Sequence, residues 1–374
     1  MAHNTITITG AVLEDMGSPE PYADSRPLTV CELELMPPGP GEVLVKILAT
    51  GICHSDLSVV NGSRPRPVPM LLGHETAGVV QQVGEGVTDF APGDRVVCIA
   101  LPHCGECAAC ATGGTTPCEP GSNANVAGTL LSGERRILRD GQPINHHLGI
   151  SGFATHAVMD TRSIAHVGAD VPPEIAATFG CAIMTGGGAV LNEVKPNTDT
   201  TLAIVGLGGV GIGAALTAAA LGVKEIVGID LQDNKREFAL ELGCTEVMTP
   251  DEALASGRRF SAAIEAAGHP AALETAFAVT DRGGLTLALG LPAPGSVSRI
   301  DPTVLATEAR TLRGSYLGSC TPARDIPRFE QLWREGKLHA EKLISARIAL
   351  TDINEAMDNL HHGLALRQVI VFEE

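Results

Sequence analysis

Short apolar runs separated by turns rich in glycine and proline dominate the first half of the chain. Residues 42–47 and 77–83 are typical runs, and Pro92-Gly93 is typical of the turns between them. Apolar runs bounded by Gly and Pro are typical of strands. The pattern therefore predicts a β-rich barrel or sandwich. From Cys104 to about residue 147 the composition shifts to Gly, Cys, Thr and Asn, which predicts a loop without an apolar core of its own.

Strand-like and helix-like segments alternate after Cys181. The predicted strands are residues 201–205, 225–230, 260–266 and 285–289, and helices are predicted at residues 209–221 and 235–242. This alternation indicates an open parallel sheet with helices on both faces. Near the end of the chain, residues 328–335 and 353–361 predict two helices, and residues 368–372 predict a closing strand.

A glycine motif stands between the first of these strands and its helix: Gly206-Leu207-Gly208-Gly209-Val210-Gly211. Gly206 permits a tight turn, Gly208 lets the backbone approach a pyrophosphate, and Gly211 lets the helix pack on the strand. The phosphates would then lie at the positive end of the helix dipole. Asp230, which ends the next strand, can accept hydrogen bonds from a ribose diol and repels a 2′-phosphate. The motif predicts NAD rather than NADP; the alternative is a glycine-rich turn without a ligand.

Four cysteines lie close together in the loop that lacks a core: Cys104, Cys107, Cys110 and Cys118. Four thiolates at this spacing can surround a tetrahedral zinc and close it against water, so the metal would fold the loop rather than act in catalysis. An iron–sulfur cluster is the alternative, because C-x2-C-x2-C also occurs in such proteins. The seven-residue gap before Cys118 favours zinc.

Length and charge narrow the class of protein. A chain of 374 residues suits two domains. Its formal net charge of −17, from 26 basic and 43 acidic side chains, disfavours nucleic acid and anionic membrane surfaces as partners. The first residues do not resemble a signal peptide and no apolar run has membrane-spanning length, which predicts a cytoplasmic protein. The ten cysteines are then expected to be metal ligands or buried thiols rather than disulfides.

Three separated segments also carry metal-capable side chains. Cys53 lies in Gly51-Ile52-Cys53-His54-Ser55-Asp56, His74 in Gly73-His74-Glu75, and Cys181 in Gly180-Cys181-Ala182. Taken singly, each has an ordinary interpretation, because a buried cysteine is often a small apolar residue and an isolated histidine is often simply hydrogen-bonded. Spacing alone does not bring these three residues together.

These segments, the cysteine loop and the glycine motif match one family in order and spacing. The chain resembles the zinc-containing medium-chain dehydrogenases, in the alcohol dehydrogenase branch similar to the liver-type enzyme, and aryl or terpenoid alcohol dehydrogenases are candidates within that branch. The resemblance implies a GroES-like catalytic domain of residues 1–182 and 317–374 and a Rossmann domain of residues 183–316. It also implies NAD, two zinc ions per chain, and a homodimer or homotetramer joined near residues 311–316.

Residue roles follow from the same resemblance. Cys53, His74 and Cys181 would hold a catalytic zinc, as in the Cys₂His site of alcohol dehydrogenase. A hydride would pass from a zinc-bound primary alcohol to NAD, reversibly, giving the aldehyde. Ser55 would take the alcohol proton, Asp56 would orient His74, and Glu75 would be the acidic neighbour of the zinc. The residues implied to lie near NAD, besides the glycine motif and Asp230, are His54, Thr185, Lys235 and Arg367.

The chain departs from the liver-type pattern at several positions. Ser58 stands where that enzyme has a relay histidine, and His54 stands where an arginine is common. Ala100 and His147 occupy positions often filled by aromatic rings in the substrate pocket, which predicts bulky, aromatic or allylic alcohols as substrates. Two other functions stay open: a glutathione-dependent formaldehyde dehydrogenase, and a non-catalytic NAD sensor.

Overall fold

The computed structural model describes residues 5–113 and 115–373. Contacts divide the chain into two compact units, one formed by the residues up to Cys181 together with those from Ile344 onward, and the other by Ala182–Leu343. The second unit ends at Leu343, later than the boundary expected near residue 317. The reason is that helix Pro322–Arg334 belongs to the second unit, where its buried Phe329 lies against Gly187.

The strands, in chain order, are β1 (Ile6–Leu13), β2 (Leu28–Leu35), β3 (Glu42–Gly51), β4 (Met70–Leu71), β5 (Glu75–Val83), β6 (Arg95–Cys98), β7 (Ile137–Arg139), β8 (Gln142–His146), β9 (His156–Asp160), β10 (Ile164–His166), β11 (Thr201–Val205), β12 (Glu225–Ile229), β13 (Glu246–Met248), β14 (Phe260–Glu265), β15 (Thr280–Ala288), β16 (Thr311–Gly314), β17 (Ala346–Ile348) and β18 (Gln368–Val371).

The α-helices are α1 (Tyr22–Ser25), α2 (His54–Val60), α3 (Glu119–Ala127), α4 (Pro173–Phe179), α5 (Gly209–Ala220), α6 (Asp233–Glu241), α7 (Pro250–Ala255), α8 (Pro270–Val279), α9 (Pro302–Thr307), α10 (Pro322–Arg334) and α11 (Ile353–His361). Short 3-10 turns lie at Cys110–Thr112, Thr161–Ser163, Leu317–Ser319, Ala340–Leu343 and Leu350–Asp352, and π-helical turns lie at Ile183–Gly187 and Ala189–Val194.

The first unit contains two sheets, as its β-rich pattern predicts. Strands β1, β2, β7, β8 and β4 close a barrel, and a second sheet has the order β10-β6-β5-β3-β18-β17, with β9 also paired to β3. Strand β3 is paired at both edges, by β5 on one side and by β9 and β18 on the other. It is buried along almost its whole length because its side chains enter apolar clusters on both faces, Leu44 in one and Val43, Val45 and Ile47 in another. A strand enclosed in this way needs a near-continuous apolar run, which is what residues 43–49 provide.

The second unit contains a parallel sheet in the order β13-β12-β11-β14-β15-β16. This is the doubly wound order in which ligands bind outside the carboxyl ends of the strands, where the order reverses. That reversal lies at β11, which pairs with β12 on one side and β14 on the other. The predicted alternation of strand and helix is confirmed; α10 begins at Pro322, earlier than the expected residue 328.

Two further properties concern the cysteines and the test for membrane-spanning helices. All ten cysteines are free thiols. Among the described residues, no single helix has the length and apolar composition needed to cross a membrane, although the bent pair Pro173–Phe179 and Ile183–Val194 meets that test by length and composition.

Candidate metal centre and nucleotide site

Strand register in the first unit brings distant segments of the chain to one point at the end of β3. Gly51 pairs with Glu75 of β5 on one side and with Val369 of β18 on the other. A Cβ on Gly51 would collide with the carboxylate of Glu75, so glycine is needed for this close approach. Cys53 and His74 therefore become neighbours although about twenty residues of chain separate them.

The ligand atoms of Cys53, His74, Glu75 and Cys181 all lie within 4.8 Å of one another. All four residues are buried. Cys181 follows α4, and Gly180 lets this segment approach β6, because a Cβ there would collide with the Cys98 carbonyl. The structure thus brings together the three residues that sequence spacing could not.

Asp56 fixes the orientation of His74. Its Oδ1 lies 3.0 Å from His74 Nδ1 and accepts the N–H of Gly73 at 3.2 Å, while Oδ2 accepts the N–H of Cys53 at 3.0 Å. Burial by itself would favour the neutral acid, but the charges and hydrogen bonds of His74 and His147 outweigh it and lower the pKa of Asp56 to about 2. An ionised Asp56 holds the Nδ1 proton of His74, so Nε2 is left as the nitrogen for a metal.

Glu75 is the residue of the cluster with the least satisfied side chain. It is fully buried, Arg367 Nη1 lies 2.9 Å from its Oε1, and neither carboxylate oxygen accepts a regular hydrogen bond. Burial raises the pKa of Glu75 to about 8, against the opposing charge of Arg367. Buried polar atoms normally have hydrogen-bond partners, so a carboxyl group paired only with Arg367, beside two thiols and an imidazole, fits a bound cation.

The donor set indicates which cation fits. The hydrogen bond between the two thiols lowers the pKa of Cys53 and raises the pKa of Cys181. One thiol is therefore disposed to be a thiolate, which is the form that binds metals. Two cysteine sulfurs and one imidazole nitrogen are the ligands that zinc favours over magnesium or calcium.

The other residues predicted around this cluster take various positions. Ser55 is partly buried and His54 is exposed, both in the first turn of α2. The hydroxyl of Ser58 donates to the His54 carbonyl at 2.7 Å, so its proton is already hydrogen-bonded to the helix backbone. Ala100 is buried, and its carbonyl accepts a hydrogen bond from Asn125.

Two predicted residues have contacts that the sequence did not suggest. His147, expected in the pocket wall, is buried with its Nδ1 3.2 Å from Asp56 Oδ1. Arg367, expected near the pyrophosphate, is buried, pairs with Glu75 and donates to the Ile52 carbonyl at 2.8 Å.

The four-cysteine loop forms a second cluster in the first unit. Its sulfurs lie within 4.8 Å of one another, with 3.9 Å between Cys104 and Cys110 and 4.0 Å between Cys107 and Cys118. A tetrahedral shell with Zn–S bonds of about 2.3 Å has S···S edges of about 3.8 Å. The loop geometry therefore fits a single tetrahedral ion. Cys118 also caps α3 by accepting the N–H of Gly121.

The glycine motif of the second unit connects β11 to α5 at the point where the strand order reverses. Gly206 has a φ of +97°, and a Cβ on Gly211 would collide with the Gly206 carbonyl, whereas Gly208 faces open space. The carboxylate of Asp230 accepts the N–H of Leu207 at 2.8 Å and stays partly exposed. This arrangement leaves a helix N-terminus and a carboxylate at the ligand-binding edge of the sheet.

The remaining residues predicted for the cofactor lie near this edge or on its helices. Thr185 lies in the π-helical turn Ile183–Gly187, and a π-helical turn is often found at a functional site. Lys235 lies in α6, shortly after Asp230.

Glu265 is a residue of this edge that the sequence interpretation missed. It ends β14 and is buried, and its carboxylate accepts the N–H groups of Ala267, Gly268 and Gly290. It therefore ties the loop after β14 to the loop after β15. An acidic residue at the end of a buried apolar strand, three residues before a glycine, is the signal that could have found it.

Comparison with known proteins gives two family matches. Residues 39–169 match the alcohol dehydrogenase GroES-like domain, and residues 209–335 match the zinc-binding dehydrogenase domain. Alcohol dehydrogenase 1 of Oryza sativa subsp. indica is 35% identical over 361 residues, which cover 93% of this chain and 95% of the rice protein. The chain belongs to the zinc-containing alcohol dehydrogenase family. It is therefore an enzyme of the medium-chain dehydrogenase class, with the expected GroES-like and Rossmann domains.

Solved structures support this family assignment. The benzyl alcohol dehydrogenase of Acinetobacter calcoaceticus is similar over 98% of this chain and all of its own, with 29% identity and a TM-score of 0.90. Acetophenone reductase of Geotrichum candidum, solved in complex with NAD, is similar over 98% of this chain and 96% of its own, with 26% identity and a TM-score of 0.77.

Proposed function

We propose that this alcohol dehydrogenase oxidises primary alcohols to aldehydes, reversibly, with NAD as hydride acceptor and with a zinc ion held by Cys53, His74 and Cys181. The observation that carries the proposal is the convergence of these three ligand atoms with the carboxylate of Glu75 in a buried cluster. Three protein ligands leave a coordination position for a substrate oxygen, as catalytic zinc requires.

When bound, zinc supplies a Lewis acid that makes the alcohol hydroxyl more acidic, and NAD supplies the hydride acceptor. The protein provides the orientation and the proton path. Asp56 holds the Nδ1 proton of His74 and so presents Nε2 to the metal. The Ser55 hydroxyl, next but one to Cys53, accepts the alcohol proton as it releases its own proton, so it relays the proton and ends unchanged. Because the Ser58 hydroxyl already donates to the His54 carbonyl, we expect the proton to pass from Ser55 to water rather than to Ser58.

NAD is proposed over NADP because Asp230 lies at the ligand edge of the sheet. Its carboxylate is held by the N–H groups of Leu207 and Gln232, each of which bonds one oxygen. Each oxygen keeps a further lone pair for a ribose hydroxyl, and the negative charge disfavours a 2′-phosphate. The similar acetophenone reductase, solved with NAD, supports this choice. The proposed contacts of Thr185, Lys235, His54 and Arg367 with the cofactor follow from the family resemblance.

We propose a bulky, aromatic or allylic alcohol as substrate. Ala100 puts a methyl group at a buried position where related enzymes often carry a ring, so more space is expected near the metal. The similar benzyl alcohol dehydrogenase supports the same substrate class. An ethanol-sized substrate would leave that space unfilled and would bury less apolar surface.

Two further features belong to the proposal. A second, structural zinc is assigned to Cys104, Cys107, Cys110 and Cys118, since four thiolates close the coordination shell against substrate. A homodimer or homotetramer is expected through strand β16, whose residues Thr311–Gly314 are exposed at the edge of their sheet. A cytoplasmic location remains a prediction from the sequence.

A panel of alcohols with NAD and with NADP, measured together with the zinc content of the protein, tests this function. Benzyl alcohol with NAD is expected to give a higher kcat/KM than ethanol with NAD, and NADP is expected to be a poor acceptor. A higher kcat/KM for ethanol would contradict the substrate class. Activity with formaldehyde that depends on added glutathione would favour the formaldehyde dehydrogenase. No NADH from any alcohol, with zinc present, would favour the NAD sensor.

A further inference from the structure

His147 shares the carboxylate oxygen that orients His74. Its Nδ1 lies 3.2 Å from Asp56 Oδ1, at hydrogen-bonding distance but without the geometry of a regular hydrogen bond. Both side chains are buried, with 2% of His147 and none of Asp56 exposed. A buried ring nitrogen without another partner is costly, so its position beside this oxygen requires an explanation.

The ring of His147 also packs on His74 itself. The two imidazoles meet edge to face, with centroids 5.5 Å apart and an angle of 83° between their planes. His74 is therefore restrained twice, through the Nδ1 contact with Asp56 and through the ring of His147. A metal ligand needs such restraint, because rotation of the imidazole moves Nε2 away from the metal.

The turn that carries His147 is built with unusual backbone angles. Leu148, Gly149 and Ser151 all have positive φ values, between +53° and +68°. The Ser151 hydroxyl accepts the N–H of His147 at 3.2 Å, and the His147 carbonyl accepts the N–H of Ser151 at 3.1 Å. Non-glycine residues in this region of φ persist where surrounding structure holds them, often at functional sites.

The turn is anchored to the segment that carries His74. The N–H of Gly152 donates to the Gly73 carbonyl at 2.9 Å, and the N–H of Phe153 donates to the Leu72 carbonyl at 2.9 Å. The strained turn is thus fixed to the residues just before His74. These two hydrogen bonds fix the position of the His147 ring relative to His74 and Asp56.

We infer that His147 is a positioning residue of the metal centre, which holds Asp56 and His74 in the arrangement that binds the metal. The inference rests on the zinc site of the proposed function and adds to the pocket-wall role expected from the sequence. Its Nδ1 lies against Asp56 Oδ1 and its ring blocks rotation of His74. Residues that act on a metal through its ligands typically change metal affinity by about 10- to 100-fold when they are replaced.

The test replaces His147 by two amide side chains, asparagine and glutamine, which place their N–H donor at different distances from the backbone. His147→Asn keeps an N–H donor near the position of Nδ1, whereas His147→Gln moves its donor one bond further out. His147→Phe keeps a ring but removes both nitrogens. His156→Phe is the matched control, because His156 lies in β9 with its Nδ1 bonded to the Thr155 hydroxyl.

The measurement is the zinc affinity of each full-length variant, by competition with a chromophoric chelator, together with the visible spectrum of the cobalt(II)-substituted protein. His147→Gln and His147→Phe are expected to bind one of two zinc ions about 10- to 100-fold more weakly and to shift the cobalt spectrum. His147→Asn, which keeps the donor but loses the ring, is expected to lose less zinc affinity than His147→Gln, which loses both. His156→Phe is expected to match wild type.

Equal zinc affinity and equal cobalt spectra in wild type and His147→Gln would overturn the inference. A loss of affinity in His147→Asn as large as in His147→Gln would also overturn it, because the donor position would then not matter. Neither readout needs alcohol oxidation. Weak zinc binding in the variants, with no NADH formed by wild type, would therefore contradict the proposed function and leave the positioning role supported.

Discussion

The first unit holds two cysteine clusters that are built in opposite ways. The loop cluster takes its four sulfurs from one short stretch, Cys104 to Cys118, and three of its cysteines are partly exposed. The buried cluster takes Cys53, His74 and Cys181 from segments far apart in the chain, with the carboxylates of Asp56 and Glu75 around them. Four thiolates close a shell, whereas two thiols and an imidazole leave it open.

This difference separates a metal that folds a loop from a metal that reacts. The loop cluster depends on local chain closure, so its metal contributes mainly to folding. The buried cluster depends on the register of β3, β5 and β18, so strand pairing rather than local loop closure positions its ligands. Changes in the buried cluster should therefore reduce catalysis, and changes in the loop should reduce stability.

Removal of a buried ligand is expected to have the largest effect. Cys181→Ala should lower kcat/KM for benzyl alcohol by about a thousandfold or more, roughly 4 kcal/mol of transition-state stabilisation, because the Lewis acid is lost. The variant should still fold and should still bind the loop zinc. Steady-state kinetics and zinc counting on the same sample check this prediction. A Cys181→Ala enzyme with near wild-type kcat/KM would contradict it.

Removal of the proton acceptor beside the metal should have the next largest effect. Ser55→Ala should lower kcat by about 100-fold, since the proton relay from the alcohol is broken and a positioned proton-transfer group typically contributes that much or more. Ser58→Ala is the matched control on the same helix, and it should change kcat by less than about threefold because its hydroxyl donates to the His54 carbonyl. Rates with saturating NAD check both variants. If Ser58→Ala were as slow as Ser55→Ala, the proton path would run through Ser58.

Removal of one cysteine ligand from the loop cluster is expected to reduce the stability of the loop rather than catalysis. Cys107→Ser should lose one zinc and lower kcat/KM by less than about tenfold, because the buried cluster stays intact. The loop from Cys104 to Cys118 should become much more sensitive to protease, since local unfolding exposes it. Limited proteolysis followed by mass spectrometry checks this. A loss of activity equal to that of Cys181→Ala would remove the distinction between the clusters.

The smallest expected difference between the two clusters is in the rate at which their cysteines react with an alkylating reagent. In the metal-depleted protein, Cys104, Cys107 and Cys110 should react with iodoacetamide about tenfold faster or more than Cys53 and Cys181, because the first three are partly exposed and the last two are buried. Peptide mapping at short times checks the order. Faster labelling of Cys53 would show that the buried cluster opens without metal.

The sequence predicts the features of this protein that are local in the chain. The cysteine loop and the motif Gly206 to Gly211 can be recognised from the sequence because all the residues of each lie within one turn or loop. In the second unit, β11, β12, β14, α5 and α6 are predicted within two residues of their observed ends. Strand β15 begins five residues before the expected residue 285, and β13, α7, α8 and α9 are not predicted.

The buried cluster needed more than sequence spacing. Its assembly depends on the pairing of Gly51 with Glu75 and with Val369, and strand pairing between distant segments cannot be derived from spacing alone. The family resemblance supplied this assembly. The contact of His147 with Asp56 depends on the left-handed turn after it, and no sequence signal at Leu148 or Ser151 announces such a turn.

Zinc titration into metal-depleted wild-type protein, with NADH formation from benzyl alcohol and bound zinc followed together, tests the central claim most directly. We expect two zinc ions per chain, with activity rising as one of them binds, and we expect Cys181→Ala to bind one zinc and stay inactive. Full NADH formation before any zinc is bound, or activity restored in Cys181→Ala by its single zinc, would contradict the account.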